Sequence, residues 1–582
     1  MAEATKISDS QSWEEWHQKE LPGTFKQLFP PSGKRATDLK PVFSILEYVH
    51  PRLKYKFSQN AFARLRLRPP FASEYACVVK IHNIVKTEGA IDSETAWSLV
   101  ITKYSFLHSR YPFRSMEQKD SKIKLQELVL HFDRADVMGS VNDAETICFA
   151  DIVGVGGLSE KLTERGVEHV VQVPDSDDTY FCRFAVQYAN QDEVACYLPL
   201  KSSLLSKQAG TKRHKFPSPT KTAIMDLSPR VLGLAEGFAQ AGHQIHSAVG
   251  FDPSQHMTWM CRHGRNSSTQ VFDGHTREVL EDIATGQFGS VPSRTEGHFL
   301  TAVIAGENTT YRIQKNSPLP SVERFCRPLE KIESVLATSL GPDFIVLLIS
   351  PAVLRSKAAD KFAATLLRLL DLRYSVHMRL AHLPDHGIPQ ARKILLLVAS
   401  ALPGPLPWHI DWPSTTQQRK EITVEQVLDG LPRSNTRTSL SPNSITGFAC
   451  PIASQELGSK PSISQQVLYN HQLGHSISKA QPIDLNSKAV GLSCDTSYHH
   501  PLRGDALTVR ELARLQGLED NLVFYHSLSS QYIDVNNAIP PILTRRIGHV
   551  LLQFIHDHRI IERQKAIEDE KNRRQAERMD LD

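Results

Sequence analysis

The sequence predicts an α/β protein: a doubly wound, Rossmann-like domain with an irregular insertion, preceded by a small β-rich domain. Three observations carry this. First, a short buried strand, Ala223–Leu227, is followed by a helix closed by glycine, Val231–His243, and a second strand, His246–Asp252. That is the strand–helix–strand order of a nucleotide-type sheet. Second, the alternation continues to about residue 400. Third, residues 71–200 carry short β-type runs at regular spacing.

A chain of 582 residues has room for two or three domains. Its 40% apolar and 22% charged content is that of a soluble globular protein. A net charge of +4 and a pI of about 8.5 suit a nucleic-acid partner without singling one out. Eight cysteines with no CxxC argue against zinc ribbons and disulfide scaffolds and suit a reducing compartment. The polar, acidic start MAEATKISDSQSWEEW is not a secretory signal. The apolar run Phe344–Leu354 is too short to span a bilayer, so no membrane partner is expected.

Residues 1–70 mix Pro, Gly, aromatic and basic residues and read as an arm. Within it, Arg64-Leu65-Arg66-Leu67-Arg68 alternates as an edge strand with a basic, solvated face would. The β-rich domain spans 71–200, with runs at Ala76–Ile81, Ser98–Tyr104, Glu127–Phe132 and Tyr180–Phe184. Gly154-Val155-Gly156-Gly157 departs from GxGxxG and reads as a plain loop. Residues 201–222 are a basic linker, with Lys212-Arg213-His214-Lys215 as either a solvated connector or an import signal. The α/β core covers 223–401, with strands at Phe299–Gly306, Phe344–Leu348, Tyr374–Leu380 and Lys393–Ala399 and a helix at Ala358–Leu372. Residues 402–500 lose periodicity, 501–554 return to it, and 555–582 form a charged tail that is an exposed helix or disorder.

The most specific string is LTVRELARLQ at 507–516, followed by Asn536-Asn537-Ala538-Ile539-Pro540-Pro541. An amphipathic helix opened by a threonine cap also satisfies the first string. With the proline pair, it resembles the late motifs of the DNA (cytosine-5) methyltransferases. The resemblance runs over about 223–554, with the motifs in family order. It implies a Rossmann-like methyltransferase domain whose target-recognition region is 402–500, S-adenosylmethionine as cofactor, and DNA as partner. The strand order of the β-rich domain is similar to that of bromo-adjacent homology domains; an unrelated β-domain is the alternative. In size the chain looks most like the fungal group linked to repeat-induced silencing and sexual development.

The family's chemistry needs a thiolate to attack cytosine C6, an acid at N3, a cofactor pocket and a flipped base. The cofactor positions implied are Asp226, Leu227, Gly233, Asp252 and Asn537. The glycine-rich turn D-L-F-x-G-x-G-G is here Asp226-Leu227-Ser228-Pro229-Arg230-Val231-Leu232-Gly233. Arg230 and Leu232 replace glycines, and their side chains should obstruct the pocket. Gly250 stands at the acidic position of the second motif, leaving Asp252 as a substitute or as a turn residue. Thr309 falls at the nucleophile's position, and a threonine hydroxyl is a far poorer nucleophile than a thiolate. Cys326 downstream reads as a structural cysteine. Leu348 replaces the glutamate, and Arg392 survives from the next motif, to touch a phosphate or base or to pair with an acid. Arg510 and Glu511 are expected to order the recognition region.

The leading expectation is therefore a catalytically degenerate homologue acting in the nucleus as a DNA- or chromatin-binding factor. An active methyltransferase with unusual catalytic residues and a protein-interaction scaffold are the alternatives. No metal site is indicated.

Overall fold

The computed structural model describes stretches between residues 41 and 200, the runs 221–250, 269–287, 298–306, 322–408 and 422–429, most of 507–579, and isolated positions such as Trp259. Residues 1–40, the linker stretch 201–220 with its basic run, and most of 402–500 lie outside the described residues.

The first half contributes fourteen strands among the described residues, ten of them in the main sheet, including β1 (Pro41–Ile45), β2 (Phe62–Leu67), β3 (Cys77–Thr87), β4 (Trp97–Phe106), β5 (Glu127–His131), β6 (Ala144–Cys148), β7 (Ile152–Gly156), β8 (Tyr180–Gln187) and β9 (Glu193–Pro199). β3 is the hub, antiparallel to β1, β2 and β4. Ala63, Leu65, Val79, Ile81, Leu99, Ile101 and Phe149 form the core beneath it. The structure corrects two expectations here. Within the stretch 1–70, read as an arm that packs on something else, β1 and β2 are strands of this unit. β2 alternates as foreseen, with Ala63 and Leu65 buried and Arg64 exposed, yet it pairs on both sides, with β3 and β7, and is no edge. β7 is itself the glycine string that was expected to be a loop. Without Cβ atoms, Gly154 and Gly156 still supply the backbone groups that pair with Arg66 and Arg64.

The second half contributes β10 (Lys221–Asp226), α1 (Leu234–Gln240), β11 (Gln244–Gly250), β12 (Gln270–Asp273), α2 (Thr276–Ala284), β13 (His298–Ala305), α3 (Val322–Ala337), β14 (Phe344–Ile349), α4 (Ala359–Asp371), β15 (Ser375–His382) and β16 (Lys393–Ser400). The helix expected from Val231 begins only at Leu234, because Gly233 takes a left-handed conformation at φ 83° and serves as its N-cap. The strands lie side by side as β12-β11-β10-β13-β14-β16-β15. The first five are parallel, and β16 runs antiparallel to both its neighbours. Strand order reverses between β10 and β13, which places a crevice at their carboxyl ends, the usual ligand position in such sheets.

The central strands are apolar throughout because both faces are covered. On β14, Ile345, Leu347 and Ile349 face the layer built by α2, α3 and α4. Phe344, Val346 and Leu348 face the other layer, shared by α1 and a C-terminal helix. The C-terminal elements are α5 (Val424–Leu428), α6 (Val509–Leu515), α7 (Leu528–Asn537) and α8 (Pro541–Met579). α8 is one helix of 39 residues, so the closing helix and the charged tail are continuous. It is buried through Ile555 and then projects, largely exposed from Ile567 on. α1 and α8 approach closely at Gly237, where a Cβ would lie 1.9 Å from Thr544 Oγ1.

The two halves are not separate bodies. β9 pairs antiparallel with β15, so seventeen strands of the described residues form one sheet. Phe184, Val186 and Tyr197 share a core with Leu366 and Val376. Arg183 crosses this seam, donating to Glu127 at 2.8 Å and to Asp371 at the end of α4.

Candidate functional site

The carboxyl end of β10 carries Asp226 and Leu227 into the turn that reaches Gly233. Asp226 is 1% exposed. Its Oδ1 accepts the Ser228 backbone N–H at 2.8 Å and its Oδ2 accepts the Trp259 indole N–H at 3.0 Å. The Leu227 N–H is bonded to the Val303 carbonyl of β13, and its own carbonyl accepts from Lys331 Nζ at 2.5 Å. The Ser228 hydroxyl accepts from the Ala305 N–H at 3.1 Å, donates to the Ala305 carbonyl at 3.2 Å and accepts from Lys331 at 3.2 Å. A hydroxyl has one donor and two acceptor sites, and all three are used.

The rest of the turn is covered as well. Val231 packs among Leu234, Phe238 and Ile539, while Leu232 joins Leu507, Val509, Leu512, Tyr532 and Val535 of the α6–α7 unit. Arg230 turns toward Asp534 of α7, 3.6 Å away. Arg230 and Leu232, expected to obstruct a pocket, dock the turn onto the late helices. Gly233 faces the Ile539 carbonyl, where a Cβ would sit 2.0 Å away. The Ile539 N–H bonds to the Leu232 carbonyl at 2.9 Å, and Thr544 Oγ1 donates to the Gly233 carbonyl at 3.1 Å. Asn537, buried at the end of α7, opens the same string.

Arg392 is buried and donates to the Ala538 carbonyl at 2.7 Å. Burial pushes its guanidinium down to about 10. Of the expected partners, a phosphate or base on one hand and an acid on the other, the structure shows no acid at Arg392: its side chain bonds a backbone carbonyl of Asn537-Ala538-Ile539. Three strings far apart in sequence, 226–233, 392 and 536–541, are thus brought together and stitched to one another.

Leu348 is fully buried in the α1–α8 layer, pointing away from the crevice. The residue at the strand end that meets Gly306 is Ile349, whose Cγ2 would lie 2.9 Å from a Cβ there. Leu348, the position the resemblance gives to the glutamate, therefore does not face Gly306; its aliphatic neighbour Ile349 does. Strand alternation was the available signal: a side chain on the face of Phe344 and Val346 cannot also reach Gly306. Lys331 was missed altogether, since a lysine in an amphipathic helix carries no mark. Thr309 and Asp252 lie outside the described residues. Cys326 is partly buried against the α2–α4 core.

Around LTVRELARLQ, Arg510 has no exposed surface and donates to the Glu519 and Leu522 carbonyls. Arg514 pairs with Asp520 and reaches the Asp429 carbonyl beyond α5. The Tyr532 hydroxyl donates to the Leu507 carbonyl at 2.8 Å; burial, and then Glu511, push its pKa up to about 12. Among the described residues no three His, Cys, Asp or Glu side chains are arranged to hold a metal. No helix there is long and apolar enough to cross a membrane.

S-adenosylmethionine would lie across the end of β10 and its turn. A turn that receives a ligand presents backbone to it, whereas Asp226, Leu227, Ser228, Val231 and Leu232 are each at most 7% exposed, covered by the chain's own side chains. The residues described at this turn do not fit the cofactor.

Residues 333–553 match the model of the C-5 cytosine-specific DNA methylase family. The chain is 23% identical over 336 residues to the type II methyltransferase M.NgoPII of Neisseria gonorrhoeae, covering 54% of this chain and 91% of that protein. It is 42% identical over 53 residues to the type II methyltransferase M.Bpa9945I of Bacillus paralicheniformis, 9% of this chain and 12% of that one. The S. pombe Dnmt2 methyltransferase structure aligns with 58% of this chain and 99% of its own, at 12% identity and a TM-score of 0.37. The family match over residues 333–553 and the likeness to type II methyltransferases make this stretch of the chain similar to the C-5 cytosine-specific DNA methylases.

Proposed function

We propose that this chain has kept the scaffold of a DNA cytosine-5 methyltransferase, has lost methyl transfer, and acts as a nuclear DNA- or chromatin-binding factor. One observation carries the loss: the turn 226–233 is buried against β13, Lys331 and the α6–α7 unit, where a cofactor would need it open. Leu348 at the glutamate's position supports it, because an aliphatic side chain cannot assist attack on a cytosine ring. Thr309 enters on sequence alone, as a hydroxyl in place of a thiolate. Retained binding rests on the family's substrate and the mildly basic charge of +4. The basic run Lys212–Lys215 supports a nuclear site. A bromo-adjacent homology character for the β-rich unit and membership of the fungal silencing group belong to the same proposal, resting on strand order and chain size.

The test is transfer of labelled methyl from S-adenosylmethionine to duplex DNA, run beside DNA affinity as a function of salt. No transfer is expected, with an affinity that falls linearly on a log–log salt plot. Robust transfer abolished by Thr309→Ala would contradict the loss of catalysis. A salt-independent or absent interaction would favour a protein-interaction scaffold.

A further inference from the structure

The switch point between β10 and β13 is held by a side chain that neither strand supplies. Lys331 projects from α3, half-buried, and its ammonium meets two acceptors at the end of β10, the Leu227 carbonyl at 2.5 Å and the Ser228 hydroxyl at 3.2 Å. Ser228 is in turn bonded to both backbone groups of Ala305, the last residue of β13. One ammonium thus ties a helix to the two strand ends that flank the crevice. A carbonyl and a hydroxyl converging on one point form a site for a primary ammonium group, whose three N–H donors can reach both.

We infer that Lys331 is a built-in ammonium ligand, which closes the crevice from within and takes the place of any amine-bearing small molecule. This rests on the reading of the turn 226–233 as covered by its own chain. Removing the lysine side chain leaves the Leu227 carbonyl without this donor and one acceptor site of the Ser228 hydroxyl open, next to space the length of a butyl stem. A primary alkylammonium ion of similar length then has both the shape and the N–H donors to fill it, while a quaternary ammonium ion has the charge without the donors.

The experiment is thermal melting of the full chain as wild type, Lys331→Ala and Lys331→Met, each with butylammonium or tetramethylammonium chloride at matched ionic strength. Both variants are expected to melt below wild type. Butylammonium should raise the melting temperature of Lys331→Ala toward the wild-type value. It should leave wild type and Lys331→Met unmoved, because their side chains fill the space. Tetramethylammonium should rescue neither variant. Should Lys331→Ala not fold, a Lys331→Met protein as stable as wild type overturns the proposal. It is equally overturned if Lys331→Ala melts as wild type, or if the two cations act alike on it. Methyl transfer by the wild-type protein would defeat the function proposed above while leaving these melting results to stand or fall separately.

Discussion

At the scale of single residues, Asp226, Leu227 and Arg392, marked by the family resemblance and among the described residues, are engaged in holding the chain together. Arg392 is the clearest case. Replacing it by alanine leaves the Ala538 carbonyl buried without its donor and should cost about 1–3 kcal/mol in a urea titration. Because the guanidinium touches backbone and not phosphate, the salt slope of DNA binding should stay the same in this variant. Gly233 combines a left-handed φ with a carbonyl 2.0 Å from any added Cβ. Gly233→Ala should therefore cost about 1–3 kcal/mol from strain alone, seen as a lowered melting temperature. The sequence reading identified the substitutions at Arg230 and Leu232 but not where those side chains go. Their partners, Asp534 and the α6–α7 unit, lie about three hundred residues on, and no local pattern reports a contact of that range.

Elements were more legible, for a physical reason. Strands buried on both faces are apolar runs with glycine, proline or aspartate near their ends, so the strands starting near 223, 299, 344 and 393 could be placed within two residues. β7 could not, because two glycines in five residues carry no strand propensity and pair only when β2 is beside them. The helices and strands also carry a pH dependence. His243, whose Nε2–H donates to the Gly548 carbonyl at 3.0 Å, is pushed down to about 4 by burial, and His377 on β15 to about 3. Both folded values are below that of an exposed ring, so the contribution of each neutral ring is fully present above about pH 6.5 and is lost as pH falls toward the folded values. Stability should then fall between pH 7 and pH 5 by about 1–2 kcal/mol per ring. Melting temperatures across that range, compared with His243→Phe, check the sign: the variant should show the shallower slope.

For the whole molecule, the consequential feature is that the β-rich half and the α/β half share one sheet and one core. The sequence suggested two domains joined by a linker, because the linker's composition is visible and the pairing of β9 with β15 is not. Arg183, buried with Glu127 and reaching Asp371, locks the seam. Arg183→Met leaves Glu127 buried without its partner and should destabilise the whole chain by about 3–5 kcal/mol, in one cooperative denaturant transition that includes both halves. Two separated transitions would show that the halves fold independently. On the function proposed above, a core fixed on both sides, with its opening turn packed against α6 and α7, presents a surface and does not take up a cofactor. Equilibrium dialysis of labelled S-adenosylmethionine against the full chain, with and without duplex DNA, tests this most directly. We predict no retained label in either condition; saturable binding at micromolar cofactor, with or without DNA, would contradict the account.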